Sequence, residues 1–521
     1  MGQSISGLDI SVIIAYFLVV FAIGLWVGRG AKTGEDLFLG GRSLTWGFIG
    51  LSLFASNISS TTLVGLAGAA YTTGIVQSVY EWGSAIPLII LAFVFVPLYL
   101  KSKITTIPEF LELRFDRRSR VFFSAVTIVT SILIDTAGSL YAGALVIKIF
   151  FPMIELWQTC YVLALITGIY TAIGGLKAVV YTDALQAIIL IIGSSLLSYL
   201  LFKELDFSWD RVIDSTPDGH FSVIKPLSDT SLPWPGLLLG VPLLGFWYFA
   251  TNQYITQRVL GAKDIQHARW GIMLASLLKF LPLFIMVFPG AMAISVYPNI
   301  EISDMVFPTM VVETLPTGLI GLVLAGLISA IMSSISSTLN SASTLVVVDF
   351  IKPAQGNMTD KATMRASRIS TFVFMVVAAV WAPQIINFGG LWVYLQQMYS
   401  IFVPPIIVLF GVGIFYKRGN GDGAFWTLIF GCLLGILLFA LTLAEVWTIH
   451  YTINIGLVVF LSTIVFIVVS RMTPPPKNVD AFLFKKSLIN EGNENMPWYK
   501  DYRYQAYALI GLVVAFYIIF S

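Results

Sequence analysis

The chain has 521 residues, of which 57% are hydrophobic and only 11% are charged. Soluble domains carry about 25% charged residues, so this composition excludes a water-soluble fold of this size and predicts a polytopic membrane protein. The net charge of +2 gives no reason to expect a nucleic-acid partner. The three histidines are scattered in or beside loops and cannot form a zinc or catalytic cluster.

Apolar runs of about 20 residues, the length that crosses the hydrocarbon core of a lipid bilayer, occur throughout the chain. They predict an all-α membrane protein of about 14 transmembrane helices in one domain over residues 1–521. The predicted spans lie at roughly 8–28, 46–71, 78–100, 121–149, 157–176, 179–202, 234–257, 270–297, 316–349, 368–388, 391–414, 423–442, 449–470 and 504–520. No small-residue cleavage site follows the first run, so we expect a retained helix rather than a signal peptide.

The positions of Lys and Arg predict the orientation in the membrane. If the N-terminus is outside, 25 of the 30 Lys and Arg residues fall in inward loops, and four lie on the outward side. Positively charged loops stay on the cytoplasmic side, so we expect both termini outside, in a plasma membrane or a bacterial inner membrane.

The second span has a polar centre, SNISSTT, at residues 56–62. Six polar residues in seven cannot share one helical face, so a regular helix would point some of them at lipid. A locally unwound helix beside a cavity avoids this and frees backbone carbonyls to bind a cation. The alternative is an ordinary helix whose hydroxyls bond to its own carbonyls. Span 234–257 repeats the pattern more weakly, with Pro242 and Gly245 before a polar end.

Span 316–349 contains a stripe of small polar residues. Ala330, Ser333, Ser334 and Ser337 are spaced to lie on one helical face. Hydroxyls and carbonyls are hard neutral oxygens that suit Na⁺. Close helix packing by small residues is the competing interpretation, and from the stripe alone it is the stronger one.

Charged residues at membrane depth are expensive and usually functional. Lys279 lies near the middle of its span, which favours a lysine that faces a wet cavity over one that snorkels to the interface. Glu81, Asp135 and Asp183 are the intramembrane acids. Each is a candidate ligand for a substrate, for an ion or for Lys279, and the residue pattern does not choose between these roles.

The order of the spans predicts a transporter. Residues 46–202 and 234–414 each hold five spans and open with a polar-interrupted helix, while 8–28 and 423–520 are peripheral. An odd number of spans per block means that the second block inserts upside down relative to the first, which is the inverted-repeat plan of secondary transporters. No G-x-x-x-x-G-K-[ST] motif occurs, which excludes a pump driven by an ATPase domain on this chain.

The chain resembles the sodium/solute symporters, in particular their sodium–glucose/galactose cotransporter branch. The resemblance runs over roughly residues 8–520 and is carried by SLFASNIS (52–59), YEWGSA (80–85), YTDALQA (181–187), LPWPG (232–236), FWYFATNQYITQR (246–258), LLKFLPLFIMVFPG (277–290), MSSISSTLNSASTL (332–345) and YLQ (394–396). It implies a symporter rather than an enzyme, working by alternating access in a lipid bilayer.

The resemblance also implies the ion sites. In this family, carbonyls of the unwound helix meet a carbonyl and two hydroxyls of the ninth span around Na⁺. The corresponding residues here are Ala55, Ile58, Ala330, Ser333 and Ser334. Some members bind a second Na⁺, for which Asp183, Ser336 and Ser337 are present.

The sugar site that the resemblance implies consists of Asn57, Glu81, Ser84, Lys279 and Gln396, with Tyr248 as the gating tyrosine. These groups combine hydrogen-bond donors, acceptors and an aromatic face, as a hexose requires. Two positions depart from better-known members: Thr62 stands where they have glutamine or histidine, and Gly245 where the bacterial galactose carrier has asparagine. Asp135 matches no family motif; it is either a ligand peculiar to this chain or a partner to a backbone amide.

We therefore predict a sodium-coupled symporter for a galactose- or glucose-type hexose, with myo-inositol or another polyol as the alternative solute. Sialic acid, an amino acid or another carboxylate is a weaker alternative, since Glu81 would repel an anion. A transmembrane sensor is disfavoured because no signalling domain follows the last span. An enzyme acting on a lipid-linked sugar would need a second nearby acid.

Overall fold

The computed structural model describes residues 6–28, 39–104, 106–150, 153–170, 176–356, 358–477, 479–492 and 496–521. Within these ranges the chain is helical, and the β-type pairing consists of one isolated parallel bridge between Leu44 and Ala262. Arg29 and Lys32, which contribute to the orientation prediction, lie outside the described residues. So does the segment 171–175, which lies near the end of the fifth predicted span, 157–176.

Eighteen helices or continuous helical segments carry the fold, with short helices Ile107–Arg114 and Trp209–Asp214 in the connections. They are α1 (Gly7–Gly28), α2 (Trp46–Asn57), α3 (Ser60–Thr73), α4 (Ile75–Ser102), α5 (Arg117–Lys148), α6 (Leu156–Tyr170), α7 (Leu176–Glu204), α8 (Trp234–Ala250), α9 (Gln253–Leu260), α10 (Ile265–Val296), α11 (Val306–Thr314), α12 (Leu319–Gln355), α13 (Asp360–Trp381), α14 (Leu391–Phe402), α15 (Pro404–Gly411), α16 (Gly421–Leu443), α17 (Tyr451–Met472) and α18 (Tyr502–Ile519).

Nine helices in the described ranges are long and apolar enough to cross a membrane. Three further pairs, α2–α3, α8–α9 and α14–α15, pass the same test together, and with each pair taken as one span the number is 12. Shorter apolar helices lie at Gly7–Val20 and Leu156–Leu165, inside the first and fifth predicted spans. An all-helical protein with many membrane-length helices is therefore confirmed, whereas the number 14 stays a prediction.

The bent pairs mark where helices are interrupted within the membrane. The predicted break in the second span is present, with a bend of 56° between α2 and α3, and so is the weaker one between α8 and α9, at 51°. A third bend of 58° separates α14 from α15 and was not predicted. Its cause is visible in the sequence, since Pro404 and Pro405 cannot continue the hydrogen bonding of α14.

Small residues bring the helices that surround the first break close together. A Cβ atom on Gly50 of α2 would lie 2.7 Å from Leu274, and one on Gly271 of α10 would lie 2.7 Å from Ile49. Glycine at such contacts lets helix backbones approach closely, as is common in membranes. Helix α2, which leads into this break, thus packs closely against α10, the helix that carries Lys279.

The peripheral helix α1 is joined to α12 at its N-terminus. One carboxylate oxygen of Asp9 accepts hydrogen bonds from the backbone N–H groups of Gly318 and Gly321, at 2.6 and 2.9 Å. These groups open α12, where free N–H groups and the helix dipole favour an acceptor with negative charge. Asp9 thereby fixes the start of the helix that carries the serine stripe.

Candidate functional site

A polar cavity lies in the middle of the helix bundle, beside the break between α2 and α3. It is lined by residues of at least six helices from both halves of the chain. Of the residues predicted from the sequence, it contains Ala55, Asn57, Thr62, Glu81, Asp183, Tyr248, Ala330, Ser333, Ser334, Ser337 and Gln396. Four predicted residues are outside this lining: Ile58, Ser84, Lys279 and Ser336.

The break itself exposes backbone carbonyls to the cavity region. Ala55 is in the last turn of α2, where carbonyls lack regular helical donors. Ile58 has a non-helical conformation, with φ −83° and ψ 69°, and its side chain is buried. The Thr62 hydroxyl donates to the Asn57 carbonyl at 2.7 Å, so part of the predicted polar run bonds to its own backbone.

The serine stripe of α12 faces this break across the cavity. Ala330, Ser333, Ser334 and Ser337 all line it, as their helical spacing predicted. The Ser333 hydroxyl donates to one oxygen of Asp183 at 3.0 Å. The side of the cavity that holds the stripe therefore offers neutral hydroxyl oxygens and a carboxylate to a cation.

Asp183 also has a positive partner that the sequence analysis missed. Arg258 Nη2 lies 3.0 Å from its second oxygen, and both side chains are about 3% exposed. Ser52 and Ser56 donate to the same oxygen, at 2.9 and 3.3 Å. Asp183 thus joins α2, α7, α9 and α12, and its charge is balanced within the protein.

Lys279 has a different position from the one expected. It is 1% exposed and lies behind the cavity wall, where its ammonium donates to Asn57 Oδ1 and to the carboxylate of Glu81. The ring of Phe249 lies 5.5 Å from the same nitrogen. The expectation that Lys279 faces a wet cavity is therefore corrected: two polar partners and an aromatic face take the place of water. Nearby, Ser84 is buried and bonds to the Glu81 carbonyl.

Aromatic side chains form much of the remaining wall. The hydroxyl groups of Tyr248 and Tyr254 lie 2.5 Å apart. The rings of Trp247 and Tyr399 pack with centroids 4.8 Å apart, and Tyr399 donates to Asp135 at 2.5 Å. Aromatic faces next to polar groups are suited to the C–H faces of a sugar ring.

Trp392 lies between this cavity and a second cavity, because it lines both. Its indole N–H donates to Gln77 at 3.0 Å, and Tyr80 packs against its ring edge. Hydrogen bonds from the segment before α11 hold the helix that carries Trp392. Asp304 accepts from the Leu391 N–H at 2.8 Å and from Tyr141 at 3.2 Å, and burial raises the pKa of Asp304 to about 6.

Several cavity residues were not assigned to the site from the sequence. Arg258 is the last residue of the motif FWYFATNQYITQR (246–258). A charged residue near the end of a broken helix was the signal that could have assigned it to the site. Asp135 was noticed but left without a role. Tyr399 and Trp392 gave no signal, because aromatic residues are common in spans and a one-dimensional pattern does not reveal which of them face a cavity.

A family model described as the sodium:solute symporter family matches residues 37–431. Sodium/glucose cotransporter 1 of Sus scrofa is 34% identical, over 94% of this chain and 82% of its own length. Human sodium/myo-inositol cotransporter 2 is 36% identical, over 82% of this chain and 69% of its own length.

Solved structures agree at the level of the fold. A Na⁺-coupled sialic acid symporter in a substrate-bound, outward-open state has a TM-score of 0.78 at 23% identity, covering 91% of this chain and 99% of that chain. MHP1, a nucleobase-cation-symport-1 family transporter, has a TM-score of 0.57 at 12% identity, covering 88% and 99%. At these identities the likeness shows that the helices share an arrangement.

Proposed function

Since this chain belongs to the sodium:solute symporter family, we propose that it carries a hexose of the galactose or glucose type across a membrane together with sodium. The family consists of symporters rather than enzymes, and the chain is a multi-pass membrane protein that uses Na⁺. The hexose is supported by relatives named as sodium/glucose cotransporters. Relatives named as sodium/myo-inositol cotransporters support a polyol as the alternative solute.

The observation that carries the proposal is the polar composition of the central cavity. Asn57, Glu81 and Gln396 contribute amide and carboxylate groups, and Ser333 and Ser334 contribute hydroxyl groups to the same space. A neutral polyhydroxy solute needs many donors and acceptors, and sodium needs hard oxygens. A single cavity that offers both kinds of ligand suits coupled transport, because the ion and the solute must be bound to the protein at the same time.

The proposed sodium site consists of the Ala55, Ile58 and Ala330 carbonyls and the Ser333 and Ser334 hydroxyls. Its support is that the broken helix and the serine stripe border the same cavity. All five groups are neutral oxygens, so they can replace the water shell of Na⁺ without adding charge.

A second sodium site at Asp183, Ser336 and Ser337 stays a prediction. Asp183 and Ser337 line the cavity, whereas Ser336 does not. Arg258 already balances Asp183. A second ion would therefore bind there only if it shared the carboxylate with Arg258 or if the pair separated.

The proposed solute site divides into two groups. Asn57, Thr62, Glu81, Tyr248 and Gln396 line the cavity and would contact the solute. Lys279 and Ser84 lie behind them and bond to Asn57 and Glu81. We assign these two a positioning role: Lys279 holds the side-chain acceptors of Asn57 and Glu81 that a hydroxyl group would meet, and Ser84 bonds to the Glu81 backbone carbonyl.

The proposed transport cycle follows from an inverted repeat, with residues 46–202 and 234–414 as the two halves of a 14-span protein. Two of the bent pairs, α2–α3 and α8–α9, open the two halves, which supports this division. Sodium binding would favour the outward-open state and complete the solute site. The driving force is the sodium gradient plus about 2.3 kcal/mol per charge per 100 mV. Both termini lie outside in this topology, in a plasma or bacterial inner membrane.

The test is uptake of labelled galactose, glucose and myo-inositol into proteoliposomes under an inward Na⁺ gradient, with K⁺ as the control cation. We expect accumulation of at least one of these solutes with Na⁺ only. Equal uptake with K⁺, or no accumulation of any of the three by a folded protein, would contradict the proposal.

Neighbouring glutamines provide a matched pair of variants. Gln396 lines the central cavity, whereas Gln397 lines the second cavity, on the other side of Trp392. Gln396→Ala should raise the solute KM about tenfold, as expected for the loss of a hydrogen bond worth about 1.4 kcal/mol. Gln397→Ala should change KM much less. Equal effects of the two substitutions would argue against the central cavity as the solute site.

A further inference from the structure

Asp135 is an acidic residue in the middle of α5, a helix of 32 residues. It belongs to the π-helical segment Ser131–Thr136. Such segments insert one residue into an α-helix and are frequent at functional sites. The Ser139 hydroxyl donates to the Asp135 carbonyl at 2.8 Å, which supports the altered backbone. The π-helical geometry thus marks this turn as an exception within an otherwise regular helix.

The carboxylate of Asp135 faces the central cavity. Its side chain is half-buried and forms part of the cavity wall. One oxygen accepts the hydrogen bond of Tyr399 at 2.5 Å. Tyr248 and Tyr254 line the same cavity, and their hydroxyl groups lie 2.5 Å apart. Asp135 is therefore set among the aromatic residues that border the space where a solute would bind.

The charges around the cavity leave Asp135 without a counter-charge. Four charged residues line the cavity: Glu81, Asp135, Asp183 and Arg258. Glu81 pairs with Lys279, and Asp183 pairs with Arg258. Within the part of the chain that the structure describes, Asp135 has no ion pair. The cavity wall consequently has one acidic side chain without a counter-charge, and an acid at membrane depth is costly and typical of a functional residue.

This distribution changes which acid can discriminate between solutes. The sequence analysis gave Glu81 the role of repelling anions, but the charge of Glu81 is balanced by Lys279. An ionised carboxylate is purely an acceptor: it binds hydroxyl or ammonium donors and repels another carboxylate. Asp135 is the cavity acid that keeps this property.

We propose that Asp135 is a further solute-contacting residue whose carboxylate accepts a hydrogen bond from the carried solute and selects neutral or cationic polyhydroxy compounds over anionic ones. This inference rests on the proposed function, since it assigns a specificity-determining residue of that same site. The class of compound it favours is a hexose or polyol with a free hydroxyl or amino group toward α5. The class it rejects is the corresponding uronic acid.

The experiment measures sodium-driven uptake of whichever labelled neutral hexose or polyol the wild-type protein carries, in proteoliposomes at neutral pH. Unlabelled hexosamine and unlabelled hexuronate compete with it, since they share the hydroxyl-bearing skeleton and differ in charge. Asp135→Asn removes the charge and keeps the shape. Asp135→Glu keeps the charge, and Tyr399→Phe removes the bonded hydroxyl but keeps both the ring and the charge.

We expect the wild-type protein to bind the hexosamine more tightly than the hexuronate. The ratio of the two inhibition constants should move roughly tenfold toward the hexuronate in Asp135→Asn, as loss of one charge interaction near the solute implies. Asp135→Glu and Tyr399→Phe should retain the wild-type preference. The sodium concentration for half-maximal uptake should stay within about twofold in Asp135→Asn.

Two results would overturn the inference while leaving the proposed function intact. One is an unchanged ratio in Asp135→Asn with normal uptake of the neutral solute. The other is a large loss of sodium affinity in Asp135→Asn without a change of ratio, which would make Asp135 a residue of the ion site. A wild-type protein that carries no neutral hexose or polyol would instead overturn the proposed function, and this inference with it.

Discussion

The breaks between α2 and α3 and between α8 and α9 differ in how their backbone groups are satisfied. In the second break, the Asn252 side chain accepts from the Tyr254 N–H at 3.2 Å and so caps α9. The Thr251 hydroxyl donates to the Trp247 carbonyl at 2.9 Å, and the Thr256 hydroxyl to the Asn252 carbonyl at 2.7 Å. Its own side chains therefore satisfy several backbone groups of this break, and Tyr99 of α4 donates to the Ala250 carbonyl at 2.8 Å.

The first break is more open. Among the described residues, the Ser59 side chain makes no capping hydrogen bond to α3, and it bonds instead to the Thr61 hydroxyl. The side-chain oxygen of Asn57 accepts a hydrogen bond from Lys279 of α10 and therefore does not cap its own break. Ala55, in the last turn of α2, thus has a carbonyl without a regular helical donor and lines the cavity beside the serines of α12, whereas Ile58 lies outside this lining.

The difference between these two breaks means that an interrupted helix is not by itself an ion site. Both breaks interrupt helical hydrogen bonding, but the second is bonded by Thr251, Asn252 and Tyr99, whereas the first has a cavity-lining carbonyl at Ala55 beside the serines of α12. The third break, at Pro404, results from the missing N–H of proline and is surrounded by apolar residues. We therefore expect sodium to bind where backbone carbonyls lack hydrogen-bond donors, and a bent helix alone does not predict its site.

The largest effect should come from removing the ion pair between Lys279 and Glu81, which lies beside the first break. Lys279→Met leaves Glu81 buried without its partner, which typically destabilises a protein by about 3–5 kcal/mol. We expect a much lower melting temperature in detergent and no sodium-driven uptake.

The double variant Lys279→Met with Glu81→Gln separates stability from transport. It removes both charges, so most of the lost stability should return, whereas uptake should stay absent because the acceptor is altered. If the single and double variants melted at the same temperature, the pair would not be the source of the stability.

An intermediate effect is expected from the hydroxyl groups that face the first break. Ser334→Ala removes one proposed sodium ligand, so the sodium concentration for half-maximal uptake should rise about tenfold. The solute KM at saturating sodium should change little. Initial uptake rates over a range of Na⁺ concentrations provide the measurement.

Asn252→Ala is the matched control in the second break. Loss of a helix cap costs about 1 kcal/mol of stability, so the melting temperature should fall by a few degrees. Its sodium dependence should equal that of the wild-type protein. A sodium affinity that falls as far in Asn252→Ala as in Ser334→Ala would remove the distinction between the two breaks.

The smallest effect concerns pH. Neither break contains a titratable residue, so pH-dependent stability should arise elsewhere, for example at His450, which caps the start of α17. Burial lowers the pKa of His450 to about 4. The unfolded chain, with a histidine pKa near 6.5, therefore binds more protons between pH 6.5 and pH 4, and stability is lost as the pH falls through this window.

His450→Asn should flatten this dependence. Asparagine can still accept from the Thr452 N–H that His450 caps, but it does not titrate. Melting temperatures measured from pH 7 to pH 4.5 should fall less steeply in the variant than in the wild-type protein. Parallel curves would mean that His450 does not contribute.

Features that depend on local sequence were predicted correctly. The polar run at 56–62 predicted the first break, because six polar residues in seven are incompatible with a lipid-facing helix. The spacing of Ala330, Ser333, Ser334 and Ser337 predicted that they share one helical face, whereas the tertiary structure decided that this face borders the cavity. The bend at Pro404 was missed although proline gives a local signal. The position of Lys279 could not be read from its depth alone, since a buried partner and a wet cavity both explain a lysine in mid-span.

The sequence by itself determined the class of protein, the positions of two interrupted helices, the serine stripe and the family. Each depends on composition, periodicity or short motifs, which a linear pattern contains. The tertiary structure alone decided which charges meet: Glu81 with Lys279, 198 residues along the chain, and Asp183 with Arg258, 75 residues along. Such pairing depends on how helices pack, and packing also left Asp135 beside the cavity without a counter-charge.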